Sequence, residues 1–142
     1  MVRTEPGSQA LLDIAPGIQA ALNENSSLKL LSRWEKGKAL TRIIRLNQGE
    51  LWVKTGAGPK PLEVETPVAV AAVRETEFNM KVLDDGQTIL TVVQGVVEFG
   101  TAFGTCPIRP STVSYGVRGK RCTKPEPADV KAAIAWTETL AR

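Results

Sequence analysis

Alternation of apolar and polar positions dominates the chain. In TEFNMKV, Thr76, Phe78, Met80 and Val82 share one face, while Glu77, Asn79 and Lys81 share the other. That period of two marks a half-buried strand, because successive side chains point to opposite faces. Asp84-Asp85-Gly86 follows as a hairpin turn in which glycine accepts a positive φ. The β-branched run TILTVV within Gln87–Val93 and then Val96–Phe99 continue it. The whole reads as a meander of short antiparallel strands.

Similar runs lie upstream. Gln9–Ile14, Leu28–Trp34, Ala39–Leu46, Glu50–Lys54 and Leu62–Thr66 read as strands. Ile18–Leu22 reads as another, although Ile18, Ala21 and Leu22 also fit one helical turn. Pro16-Gly17, Asn23–Ser27, Glu35–Lys38, Asn47-Gln48-Gly49 and Thr55–Pro61 read as turns and loops. Downstream, Gly104–Ile108 and Ser111–Tyr115 add two short strands, and VRGKRCTKPEP is a basic, proline-bearing connector. Turn signals recur roughly every ten residues, the spacing of an all-β sandwich, barrel or solenoid-like stack. No exact repeat is visible, which argues against a propeller or leucine-rich array.

The tail changes character. PADVKAAIAWTETLAR has no glycine, and Val130, Ala133, Ile134, Thr137, Leu140 and Ala141 recur at helical spacing beside Trp136. Pro127 suits a first helical turn, Asp129 the positive end and Arg142 the negative end. The expectation is a β body over residues 1–125 and one amphipathic helix over 126–142 packed on it.

Composition narrows the chemistry. The chain has 142 residues, 23% charged and 42% hydrophobic, with net charge +3 and no histidine. It is one domain by size and ordinary in composition. Lack of histidine removes the commonest general base and neutral metal ligand, so zinc and cupin-type chemistry are disfavoured and no cofactor is expected. Nothing is long and apolar enough to span a bilayer, and MVRTEPGSQ has no apolar core of an export signal.

Cys106 and Cys122 lack metal or redox spacing. Two unpaired thiols are the plainer expectation; in an oxidising compartment they could pair, adding about 3 kcal/mol in the chain-entropy model.

Glu63, Glu65, Glu75, Glu77, Asp84 and Asp85 read as solvated strand and turn positions rather than an acid–base pair. The basic groups Arg118, Lys120, Arg121 and Lys124, and Arg33, Lys36, Lys38, Arg42 and Arg45, are interleaved with few aromatics. Nucleic-acid binding is not expected.

The stretch VETPVAVAAVRETEF, then DDG, then TVVQGVVEF resembles the central signature of FecR domains. Val64, Thr66, Pro67, Arg74, Thr76, Glu77, Phe78, Gly86, Val92, Gly95 and Val97 carry the resemblance. It extends over Arg3 to about Pro125. Glu75 stands where the family usually has glycine; if that glycine has a positive φ, Glu75 is strained. The resemblance implies a small β-solenoid-like or β-sandwich body with a further strand or two before Met1. It also implies an extracytoplasmic protein-interaction or signal-sensing module without enzymatic activity. The family's full relay would require a membrane segment and a sigma-binding region, and neither is recognised here.

Among the motif residues, Phe78 is expected in the core, with Arg74 buried against Glu77 or backbone carbonyls. Exposed strand edges suit recognition by strand addition. The alternative is a carbohydrate or cell-envelope binding module with Trp34, Trp52 or Tyr115 as stacking residues. Homo-oligomerisation through an uncapped sheet end is a third reading.

Overall fold

The computed structural model describes residues 1–34, 40–56 and 61–140. The expected turn at Glu35–Lys38 and most of the Thr55–Pro61 loop lie outside them. Among the described residues thirteen strands form in chain order: β1 (Val2–Arg3), β2 (Ala10–Ala15), β3 (Ile18–Leu22), β4 (Ser27–Arg33), β5 (Thr41–Thr55), β6 (Leu62–Glu65), β7 (Val70–Val73), β8 (Glu77–Val82), β9 (Thr88–Gln94), β10 (Val97–Thr101), β11 (Gly104–Ile108), β12 (Thr112–Gly116) and β13 (Glu126–Pro127). The fold is all-β, as alternation predicts, and Ile18–Leu22 is a strand rather than a helical turn.

The strands make one open sheet that curls over itself like half a barrel. The hinge is β5, fifteen residues long. Its first part, Thr41 to Gln48, pairs with β4 and, in parallel, with β6. Its second part, Gly49 to Thr55, pairs with β3 and β8. The upper leaf thus contains β1, β4, β6, β7, β10 and β11, and the lower leaf β2, β3, β8, β9, β12 and β13.

Asn47-Gln48-Gly49 is therefore not the chain-reversing turn its sequence suggests. It lies within a strand, where β5 changes leaf. Gly49 has φ +98°, and a Cβ there would overlap the side chain of Ser26. Covalent length demands a bend in β5. Leu62 pairs beside Arg42, but a straight strand from Arg42 to Thr55 would be about 43 Å long. The connector from Thr55 to Leu62 reaches only about 25 Å. The chain can return to the start of β5 only if β5 folds over.

The core fills the space between the leaves. Leu28, Ile44, Leu46, Val64, Ala71 and Phe99 come from the upper leaf, and Leu22, Leu51, Val53, Phe78, Met80 and Leu90 from the lower. All twelve are fully buried, each on the inward parity of its strand. Apolar burial of this kind stabilises by about 25 cal/mol per Å².

The tail forms the expected C-terminal α-helix, but a shorter one than the spacing over 126–142 suggests. Pro127 lies in β13, an edge strand where its missing N–H costs nothing. The α-helix α1 covers Val130–Ile134 and gives way to a 3₁₀ turn over Ala135–Thr139. Asp129 caps α1 by accepting from the Ala132 N–H at 3.1 Å. Thr137 Oγ1 donates to the Ile134 carbonyl at 2.7 Å, occupying an acceptor at the point where the helix tightens.

Candidate functional site

The signature residues build a framework rather than a cleft. Thr66 Oγ1 accepts from the Ala69 N–H at 3.0 Å and shares a hydrogen with Thr88 Oγ1 at 2.7 Å, joining the upper leaf to the lower. Pro67 follows it in the turn, Phe78 is fully buried, and Gly86 has φ +88° in the β8–β9 turn. Glu75 has φ +47°, the left-handed conformation that glycine adopts more readily. Across from it Gly95 has φ +79°; a Cβ there would lie 2.6 Å from the Glu75 carbonyl oxygen. Thr76 Oγ1 is buried without a hydrogen-bond partner among the described residues, although the Thr76 N–H donates to Thr55 Oγ1 at 2.8 Å. Arg74 is exposed rather than buried. Its expected partner Glu77 instead accepts from Trp52 Nε1 at 3.0 Å.

The carboxylates do not converge. Glu63 pairs with Arg33 at 2.6 Å and Glu65 with Arg45 at 3.2 Å, on the outer face of the upper leaf. Asp85 Oδ1 accepts from the Gln87 N–H inside its turn. Among the described residues no three His, Cys, Asp or Glu side chains are grouped to hold a metal ion. Arg33 and Arg45, counted above in a basic cluster, are committed to these pairs.

The three proposed stacking aromatics do not form a platform. Trp52 is 2% exposed and presents no open ring face, which corrects its assignment. Tyr115 is half-buried on β12 in the lower leaf, whereas Trp34 follows β4 in the upper leaf at 77% exposure.

Trp52 is buried although it points outward. Outward positions of the lower leaf include Ala21, Trp52, Asn79 and Thr91, which are register neighbours across β3, β5, β8 and β9. All four are buried, and the C-terminal segment packs on this face at β9 and Asn79. A ring of side-chain bonds holds it there. Trp136 Nε1 donates to Asn79 Oδ1 at 2.9 Å, and Asn79 Nδ2 donates to Glu50 Oε2 at 2.8 Å. Asn23 Nδ2 donates to Glu50 Oε1 at 2.9 Å, and Gln9 Nε2 reaches Asn23 Oδ1 and the Trp136 carbonyl. Thr139 Oγ1 donates to Gln9 Oε1 at 2.8 Å. Sequence reasoning missed this ring, whose members are spread from Gln9 to Thr139.

Cys106 of β11 and Cys122 of the connector after β12 form a disulfide, with Cα atoms 6.3 Å apart. It joins the last strand of the upper leaf to the chain leaving the lower one.

The sheet edges differ in protection. β11 carries Pro107 and the disulfide, and β13 is two residues ending in Pro127. β1 covers only Leu28 and Ser27 of β4, leaving Lys29–Arg33 without a neighbouring strand on that side among the described residues. That stretch runs into Trp34 and includes Leu30, 48% exposed. A shallow hollow on the same leaf lies between Arg33, Glu63, Ala72, Arg74, Val96 and Glu98.

The family model described as FecR protein matches residues 1–98. No curated protein matches the chain. Two crystal structures of a candidate anti-sigma factor from Parabacteroides distasonis, at 1.65 and 2.50 Å resolution, share its fold. Their TM-scores are 0.77 and 0.79, each at 18% identity over 95% of this chain. The chain spans 63% and 62% of those chains, less than two thirds of their length.

Proposed function

This chain belongs to the FecR family, and on that premise we propose that it is a non-enzymatic, extracytoplasmic sensing module that binds an extended segment of another protein along β4. The observation that carries the reading is the edge at Lys29–Ser32, without a neighbouring strand on that side among the described residues, beside exposed Leu30 and Trp34. A strand lacking a neighbour on one side leaves alternate N–H and C=O groups able to take another chain. An incoming segment antiparallel to β4 would extend the ladder that β1 begins at Leu28. Lys29 lies in the open stretch, favouring an acidic residue opposite it. Trp34 supplies an amphipathic anchor of the kind that dominates protein interfaces.

Several features support a regulatory rather than catalytic role. The family and the fold of the anti-sigma-factor structures are those of regulators. Glu63 and Glu65 serve ion pairs, Asp85 a turn and Glu77 the Trp52 indole. The signature's Thr66, Pro67, Arg74, Thr76, Glu77, Phe78, Gly86 and Gly95 then act as framework, with the C-terminal segment as a cover on the β body. The disulfide supports an oxidising compartment. No helix of the described residues is long and apolar enough to cross a membrane.

The test uses a six-residue peptide alternating valine and glutamate, titrated while tryptophan emission is read. Saturable binding is expected, weakened at least tenfold by Trp34→Ala or Leu30→Asp. No emission change up to about 1 mM peptide, the weak end of the affinity scale, would remove strand addition at β4. The compartment has its own check: thiols trapped by alkylation in the source cells should be absent at Cys106 and Cys122.

A further inference from the structure

We infer that β2 is a self-association edge, on which a second copy of this chain adds its own β2 antiparallel about a two-fold axis through Leu12. The inference stands apart from peptide binding at β4, which uses another edge in the other leaf. β2 pairs only with β3, and among the described residues no strand lies along its other side. Natural edges are blunted by proline, charge, brevity or cover. β11 has proline and a disulfide, and β13 has two residues and proline. β2 is six residues long, Ala-Leu-Leu-Asp-Ile-Ala, with no proline and one charge. Its one irregularity falls between Asp13 and Ala15, so the ladder from Ala10 to Asp13 is regular.

Parity selects the partner and the register. Ala10, Leu12 and Ile14 pack against the core while remaining half-buried. Leu11 and Asp13 share the outer face with Ala21 and Gln19 of β3, and Leu11 is 42% exposed. Placing Leu12 opposite Leu12 of the second copy joins the two inner faces within the regular ladder. On the outer face it sets Leu11 opposite Asp13, twice. Inner apolar faces then continue across the junction with no like charges opposed. Sliding the pairing by two residues, so that Asp13 meets Asp13, opposes two carboxylates. A one-residue slip would turn an inner face outward. The segment is therefore self-complementary about Leu12, as an isologous interface requires.

That register makes a charge prediction that general stickiness does not. Leu11→Asp introduces a carboxylate facing Asp13 of the second copy at both symmetric positions, whereas Leu11→Lys places a cation there. Both substitutions fall on an exposed side chain. The experiment is sedimentation equilibrium of the oxidised full chain and its variants. The wild-type chain is expected to dimerise. Leu11→Asp should raise the dimer Kd at least about tenfold, because like charges directly opposite destabilise a strand pair. Leu11→Lys should leave the Kd within about threefold, and Asp13→Lys added to Leu11→Asp should restore it. Circular dichroism and urea midpoints verify that every variant is folded. A wild-type monomer up to about 1 mM, a dimer indifferent to Leu11→Asp, or equal loss with Leu11→Lys would each overturn the inference.

Discussion

Replacing Trp136 by Phe keeps most of the ring and removes one N–H. That N–H is the donor to Asn79 Oδ1 at 2.9 Å. Asn79 is 4% exposed, and its Nδ2 is already committed to Glu50, so water cannot easily replace the lost donor. A buried acceptor left without a partner costs about 1–3 kcal/mol. Trp136→Ala also strips cover from Asn79. Its cost should approach the lower end of the large-to-small range, about 3 kcal/mol, because Trp136 is itself half-buried. The assay is urea unfolding with the disulfide intact, read as a shift in midpoint at constant m, the sign of a change in stability rather than in compactness. Asn79→Leu completes a double-mutant cycle with Trp136→Phe. Removing both partners spares the penalty of either alone, so the cycle should show coupling above about 0.5 kcal/mol. Additive single effects, or a Trp136→Phe midpoint equal to wild type, would show that the C-terminal segment is not held by this bond.

Other outcomes follow from the same contacts. Gly49→Ala should lose about 2–5 kcal/mol in urea, combining a side chain at positive φ with overlap on Ser26. Reducing Cys106–Cys122, or replacing both by Ser, should lower stability by about 3 kcal/mol, the chain-entropy value for a loop of 16 residues. Calorimetry with and without reductant reads that loss, and unchanged Tm values would refute it. Trp34→Ala should stay within about 0.5 kcal/mol of wild type, as exposed substitutions do, whereas Trp52→Ala should cost about 3–5 kcal/mol; near-equal urea midpoints for the pair would contradict their assigned burial.

Much of the sheet is legible in local pattern. β8 is read from Phe78, Met80 and Val82, and β9, β10, β11 and β12 appear within a residue or two of their patterns. The signature residues around Glu75 also announce their backbone. A glycine-favoured position occupied by Glu75 does take positive φ. β5 is different. Gly49 between two polar residues reads as a turn, and only Ser26 packed against it and the short return to Leu62 make it a bend within one strand. The tail likewise has helical spacing, but Trp136 is held by Asn79 of the sheet, and Thr137 bonds back to the Ile134 carbonyl where the helix tightens.

Periodicity and turn chemistry are properties of neighbours along the chain, so the sequence alone determined an all-β body, the inward identity of Phe78 and its alternates, and the family resemblance. Alternation states which way a side chain points from its own strand. It does not state what lies over that face. Asn79 points outward yet is buried, and it takes the indole N–H of Trp136, which arrives from the far end of the chain. Which outward residues are covered, and which edges remain without a neighbour, were decided only by the tertiary structure, because both depend on where distant segments come to rest.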